Sequence, residues 1–384
     1  MRSLLFLGAA LLFAAGCSPA APAPEEVVIG ADLELSGSGA NVGKVYEQAM
    51  RLRVEQLNHD GILGNRHLSL VVRDNRSDPA TSAANIKALA GDPSIRALVT
   101  GACGQCIVDS AKVVNDIGIP TIALARPINV SQPVAERKFI FKLAPNVDDD
   151  ATVLTSELAA GGLQRVAVVA PDDQFGTDAI DALSRKFSRS GGVAAGITER
   201  IPAAGADLAA TASRIAKVRP AVQAAVILAY SPSAAQMAQA LRTEGFTGRL
   251  MFGSAAADGL FLSNDTASAM DGAGLVFTPT LVSDDIIATS PAKANRVAWF
   301  RDYLSTYGTY SAYASFAADG VGLVVDAITQ TSRTDRESLR TTIETLQMDG
   351  LSGPIRLTPA NHSGLMPQAV TLLVAANGRW RLAS

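Results

Sequence analysis

The chain has 384 residues, 48% hydrophobic and 18% charged, with a formal net charge of −3. That balance, with no basic run, excludes nucleic acid as a partner, because phosphate binding needs clustered Lys and Arg. Past the N-terminus no apolar run reaches bilayer-spanning length, and the chain is long enough for two domains.

The opening MRSLLFLGAALLFAAGC sets Arg2 before about a dozen apolar residues, the size of a signal-peptide core. The run ends in Ala14, Ala15, Gly16 and Cys17. This resembles a bacterial lipobox and implies a signal peptide over 1–16 and a lipid anchor on Cys17. The following SPAAPAPEE cannot bury a core and reads as an extended tether over 17–26.

From Val27 short apolar strands alternate with helical patterns. VVIGADL is a strand, 44–58 a helix, LSLVVRD (68–74) a strand and 79–90 a helix. RALVTG (96–101) is a strand, 107–117 a helix, and PTIALA (120–125) is strand-like. After FIFKLA (139–144) the alternation restarts: helix 149–160, strand 165–170, helix 177–189, strand 193–200 and helix 207–217. Strand 224–230, helix 233–243 and strand 249–253 complete that block. Such alternation predicts βαβ units around parallel sheets covered on both faces, so the fold class is α/β with two doubly wound lobes. Helices at 292–306, 312–330 and 335–347 have no sheet of their own and are expected to pack back on the first. Strands near 354–357 and 369–375 follow.

Several segments together resemble the type I periplasmic binding proteins, in particular their leucine/isoleucine/valine-binding branch. They are VVIGADLELSGSGANVG, EQLNHDGILGNRHLSLVVRDNRSDPATS, KLAPNVDDDA, VAVVAPDDQFGTDAIDAL and AYSPSAAQMAQALRTEGF before RLMFGS. The resemblance covers nearly all of 27–384. It implies lobes of 27–146 with 279–361 and 147–278 with 362–384, joined by a multi-strand hinge. It also implies a small ligand clamped between them, an ABC permease in the inner membrane as partner, and neither cofactor nor metal.

GSGANVGK (37–44) misses both phosphate-binding fingerprints: Ser38 stands where a P-loop needs glycine, and Gly43 falls one residue late for the dinucleotide pattern. What remains is a Gly-rich strand-to-helix turn at the edge where open α/β sheets bind ligands, or an ordinary turn. With the resemblance, Ser38 and Asn41 become candidate ligand contacts. GACGQC (101–106) fills the corresponding turn after the third strand, and the resemblance implies that this turn offers amides and hydroxyls to a ligand carboxylate. Here it carries Cys103, Gly104, Gln105 and Cys106. The even cysteine pair reads as cleft wall, disulfide-bonded or free, with a purely structural, redox or metal role as the alternatives.

ALARPINV (123–130) follows the fourth strand, and the resemblance puts Ala125 and Pro127 beside the ligand. Arg126 reads either as a bidentate carboxylate partner or as an outward surface residue. In the second lobe Phe175 and Tyr230 match aromatic positions of the family, with core packing as the alternative. Where amino-acid-binding members carry an acid for the ligand ammonium, this chain has Ala255. Asp148, Asp149 or Asp258 are the substitutes considered. His59, His67 and His362 are isolated and there is no G-x-S-x-G, so no catalytic set is expected. The function implied is a solute-binding lipoprotein. The alternatives are a ligand sensor of the same fold, with Ser18 after the lipid cysteine compatible with outer-membrane sorting, and more distantly a thiol-disulfide protein.

Overall fold

Val27 to Leu33 is apolar on both faces except at Asp32, the pattern of a central parallel strand. A computed structural model, describing residues 25–202, 208–257 and 267–383, places it inside the first sheet, with a parallel strand on either side. That sheet comprises β1 (Glu25–Leu33), β2 (Arg66–Asp74), β3 (Ile95–Thr100), β4 (Thr121–Ala123) and β5 (Ile140–Lys142), in the order β2-β1-β3-β4-β5. All its pairs are parallel, with Ile29 opposite Leu70 on one side and Ala97 on the other. Its helices are α1 (Ala40–His59), α2 (Pro79–Gly91) and α3 (Gly104–Ile117).

The second sheet has β6 (Arg165–Pro171), β7 (Ala194–Ile201), β8 (Ala224–Ile227), β9 (Arg249–Phe252) and β10 (Gly274–Phe277). A hairpin of β11 (Gln347–Asp349) and β12 (Pro354–Arg356) stands apart, and β13 (Thr371–Ala376) and β14 (Arg379–Leu382) return to the second sheet as an antiparallel edge. The order is β14-β13-β10-β9-β8-β6-β7. Around this sheet run α4 (Val147–Ala160), α5 (Gln174–Ser190), α6 (Ala209–Lys217), α7 (Ser231–Thr243) and the short α8 (Ala267–Met270).

The expected third block is α9 (Pro291–Tyr307), α10 (Ala314–Thr331) and α11 (Arg336–Ile343), and it does return to the first sheet. There α10 packs on α1 and β3, while Tyr303 and Tyr307 donate to Gln48 Oε1 and to the Gln48 carbonyl, each at 3.0 Å. The chain therefore passes between the sheets three times: after β5, after β10 and before β13. At the first passage Lys142 is wholly buried, its Nζ donating to the Ala144 carbonyl (2.8 Å), the Pro145 carbonyl (3.3 Å) and Asn146 Oδ1 (2.8 Å). Ser363, on the last passage, shares that Asn146 oxygen at 2.7 Å.

Two boundaries depart from the sequence reading in ways that shape the cleft. Helix α3 starts at Gly104, because Cys103 caps it through its sulfur and the polar first turn has no periodicity to announce it. Strand β8 ends at Ile227, after which the chain swings out so that Tyr230 directly precedes α7, with Pro232 in its first turn.

Candidate functional site

The carboxyl ends of both sheets face one another, and the turn after β1 brings the first unexpected group. Glu34 is 2% exposed. Its Oε2 accepts the Ala102 amide (2.9 Å), and its Oε1 accepts the Cys103 amide (3.0 Å) and Asn75 Nδ2 (3.2 Å). Three glycines make room for it. A Cβ at Gly101 would stand 2.1 Å from Glu34 Oε2, one at Gly39 2.9 Å from Glu34 Cβ, and one at Gly43 2.1 Å from the Glu34 carbonyl oxygen. Asn75 also donates to Asp32 Oδ2, which accepts from Ser82 as well; burial pushes the Asp32 carboxyl up to about 6 against these bonds.

The turn after β3 thus differs from what the resemblance implies: the amides of Ala102 and Cys103 are taken by the protein's own carboxylate. Cys103 and Cys106 form a disulfide at the start of α3, and the Cys106 amide donates to Cys103 Sγ at 3.2 Å. Glu34 and the two sulfurs lie close enough to suggest a metal clip, but disulfide sulfurs hold no thiolate to offer. Gly104 admits Pro127, whose Cγ would be 2.8 Å from a Cβ there, so the first-lobe turns interlock. Gln105 is exposed and donates to Asp109 at 2.5 Å along the helix surface, away from a cleft role. Ser38 and Asn41 are exposed on the β1–α1 connection.

Arg126 is not an outward surface residue. Its Nη1 donates to Ser254 Oγ across the lobes at 2.6 Å. Ser254 in turn gives its hydroxyl (2.7 Å) and its amide (2.8 Å) to Asp150 Oδ2. The guanidinium lies 5.3 Å from the Tyr313 ring centroid, a cation–π distance, and Tyr313 donates to the carbonyls of Ser254 and Ala255 at 3.3 Å. Asp150 is buried, and burial pushes its carboxyl up to about 6 despite Ser254 and Arg126; its Oδ1 has no partner among the described residues. Phe175 (4% exposed) and Tyr230 (39% exposed) face each other with centroids 5.2 Å apart, and burial pushes the Tyr230 hydroxyl up to about 12. Ala125 and Ala255 are buried. A cavity of about 170 Å³ opens beside Arg126, bounded by Ile128, Asn146 and the acids of α4 and α5.

The family model described as periplasmic binding protein matches residues 26–378. The chain belongs to the periplasmic binding protein family.

Its structure is similar to an extracellular ligand-binding receptor from Rhodopseudomonas palustris HaA2, with 20% identity, 93% of this chain and 99% of that one covered, and a TM-score of 0.83. A leucine-binding protein from Thermotoga maritima gives 21% identity, 93% and 98% coverage, and a TM-score of 0.78. A branched-chain amino acid transporter substrate-binding protein from Streptococcus pneumoniae, in complex with isoleucine, gives 18%, 94% and 99%, and 0.79. At these identities the likeness is one of fold. No curated protein sequence matches the chain.

For a periplasmic binding protein, the acids proposed in place of residue 255 are differently employed. Asp148 pairs with Lys186 (2.7 Å) and Arg185 (3.2 Å), and Asp149 accepts from Asn146 Nδ2 at 3.0 Å. Asp258 lies outside the described residues. The groups that sequence reasoning missed are Glu34, Asp150, Ser254 and Tyr313. Only Glu34 left a signal, as a charge directly after an apolar central strand; the others become neighbours through the lobe-to-lobe approach.

Proposed function

We propose that the protein is an extracytoplasmic solute-binding lipoprotein that closes on a small molecule and delivers it to an ABC permease. The observation that carries this reading is the cross-lobe seam, where Arg126 from the first lobe meets Ser254 and lies over the Tyr313 ring, while Phe175 and Tyr230 of the second lobe form a ring pair. A seam built from few polar bonds and apposed rings can exchange its internal contacts for ligand contacts, which is how a ligand shifts a hinge equilibrium. With the lobes divided near 146, 278 and 362, as we propose, Lys142, Asn146 and Ser363 form part of the hinge. The family binds ligands, and we assign this chain no catalytic role.

Native mass spectrometry of protein purified without denaturation should show a small molecule retained at one per chain. Tyr230→Ala should weaken retention by about tenfold or more at unchanged circular dichroism, since it removes a wall of the cleft. A wild-type protein that retains nothing, and that does not contract in solution scattering with any of the carboxylates, amides or amino acids named below, would refute the reading. The anchor has its own test: Cys17→Ser should move the protein from the membrane fraction to the soluble envelope fraction, and an unchanged distribution would remove Cys17 from that role.

A further inference from the structure

We infer that the cleft takes small organic carboxylates lacking an α-ammonium group, with the Arg126 guanidinium as their anchor. This deepens the solute-binding reading and rests on it.

The amides that open α3 are closed to an incoming carboxylate. Glu34 already holds two of them, and Gly39, Gly43 and Gly101 pack so tightly around Glu34 that its carboxylate is built in rather than draped over the turn. A ligand carboxylate must find another donor set. Arg126 is the cation on the seam that can supply it. A guanidinium has five N–H donors, and only Nη1 has a protein acceptor among the described residues. Nε and Nη2 are left for a second acceptor, and the residue lines the cavity between the lobes. Among the described residues no carboxylate touches the guanidinium directly; Asp150 reaches it only through Ser254. A ligand carboxylate would complete the arrangement with the bidentate geometry that arginine favours.

An α-ammonium is less well provided for. Position 255 is alanine, Glu34 is fully engaged, and Asp150 Oδ2 serves Ser254. Among the described residues, two buried carboxylate oxygens near the seam have no partner, Asp150 Oδ1 and Asp178 Oδ2. The first belongs to the carboxylate whose charge already offsets Arg126. An ammonium there would stand against a like charge in a poorly solvated site. On the far wall of the cavity Asp148 pairs with Lys186 and Arg185, and Asp178 accepts from Gln174 through Oδ1 alone; its free Oδ2 and Asp181 share that wall with Arg185, which already supplies a cation there. The Phe175–Tyr230 pair suits a planar or branched apolar body.

The test is isothermal titration of the purified protein with matched compounds: 4-methylpentanoate, leucine and 4-methylpentanamide, and 3-phenylpropanoate, phenylalanine and 3-phenylpropanamide. In at least one set the free carboxylate should bind about tenfold or more tighter than both partners. Arg126→Gln should weaken that carboxylate by about a hundredfold and Arg126→Lys by less, because lysine keeps the charge but not the fork. Both variants should keep the wild-type circular dichroism. Amino acids binding tighter than their carboxylates would overturn the assignment while leaving the solute-binding reading standing, and loss of that binding in Asp150→Asn would show where the ammonium sits. Amides binding as well as carboxylates, or Arg126→Gln binding unchanged, would remove Arg126 as the anchor. If all the compounds are silent the assignment falls, and the retained-ligand measurement decides whether the binding reading falls with it.

Discussion

Glu34→Ala should lower the unfolding free energy by about 4 kcal/mol in urea titration, and millimolar formate should restore part of the loss. The amides of Ala102 and Cys103 and the Asn75 side chain all point at this one carboxylate, and removing it leaves buried donors unanswered. Hydrogen bonds to a charged acceptor are among the stronger kind, and each orphaned donor costs about 1–3 kcal/mol. Formate is small enough to enter the space left by the truncated side chain and offers the same two oxygens. It should stabilise the variant and leave the wild type unchanged, because in the wild type the acceptor is already present. Glu34→Gln should lose about half as much, since one oxygen survives while its NH2 opposes a backbone N–H. A loss under about 1 kcal/mol for Glu34→Ala would mean that the turn after β3 holds its shape without this acceptor.

The fold was legible because its signals are local. The apolar runs of β1, β3 and β6 and the polar turns between them determine parallel strands and covering helices without reference to anything distant. Where local signals are thin, the reading thinned with them. GLVF over β10 is only four residues long in a stretch marked by glycine and alanine, and RWRL of β14 alternates charge with bulk as an exposed edge does. The cleft was legible in its turns and illegible in its pairings. Cys103, Arg126, Phe175 and Tyr230 announce themselves by lying just past strand ends. That Arg126 reaches Ser254, or that Glu34 lies on the Ala102 and Cys103 amides, depends on contacts separated by 128 and about 70 residues, which no spacing encodes. Asp150 was passed over for the same reason. Of the three consecutive aspartates that open α4, only the helical phase decides which one turns inward, and it is the third.

Stability should pass through a minimum near pH 7, falling between pH 4 and 7 and rising again toward pH 10. Asp32, Asp150 and Asp319 are each buried, and burial pushes each up to about 6. Below about pH 4 both folded and unfolded chains hold these protons. Between about 4 and 6 the folded protein keeps protons that the unfolded chain has released, so stability is lost as pH rises through that window, at about 1.4 kcal/mol per unit for each full proton of difference. Hydrogen-bond donors blunt the loss: Asp319 accepts the Leu351 and Ser352 amides at 2.7 Å, and such bonds favour the anion. With those bonds already weighed in the value of about 6, a rise of about two units is worth up to about 3 kcal/mol per carboxylate. Lys142 works in the opposite sense. Burial pushes it down to about 7, so its contribution is present above the ordinary lysine range and is lost as pH falls toward 7. The three oxygens around its ammonium again moderate the effect. The exposed aspartates held below their usual range, such as Asp78 and Asp92, act only below about pH 4 and leave this window alone. Asp150→Asn isolates one contribution. The amide oxygen can keep both bonds from Ser254 while the NH2 takes the position of Oδ1, as in the protonated acid, so the variant should lack this carboxylate's share of the fall between pH 5 and 7 and stand above the wild type near pH 7. Urea midpoints measured from pH 5 to 9 decide the matter. A profile that rises steadily from 5 to 7 would show that these carboxylates are ionised in the folded state at little cost, and that the donors around them outweigh their burial.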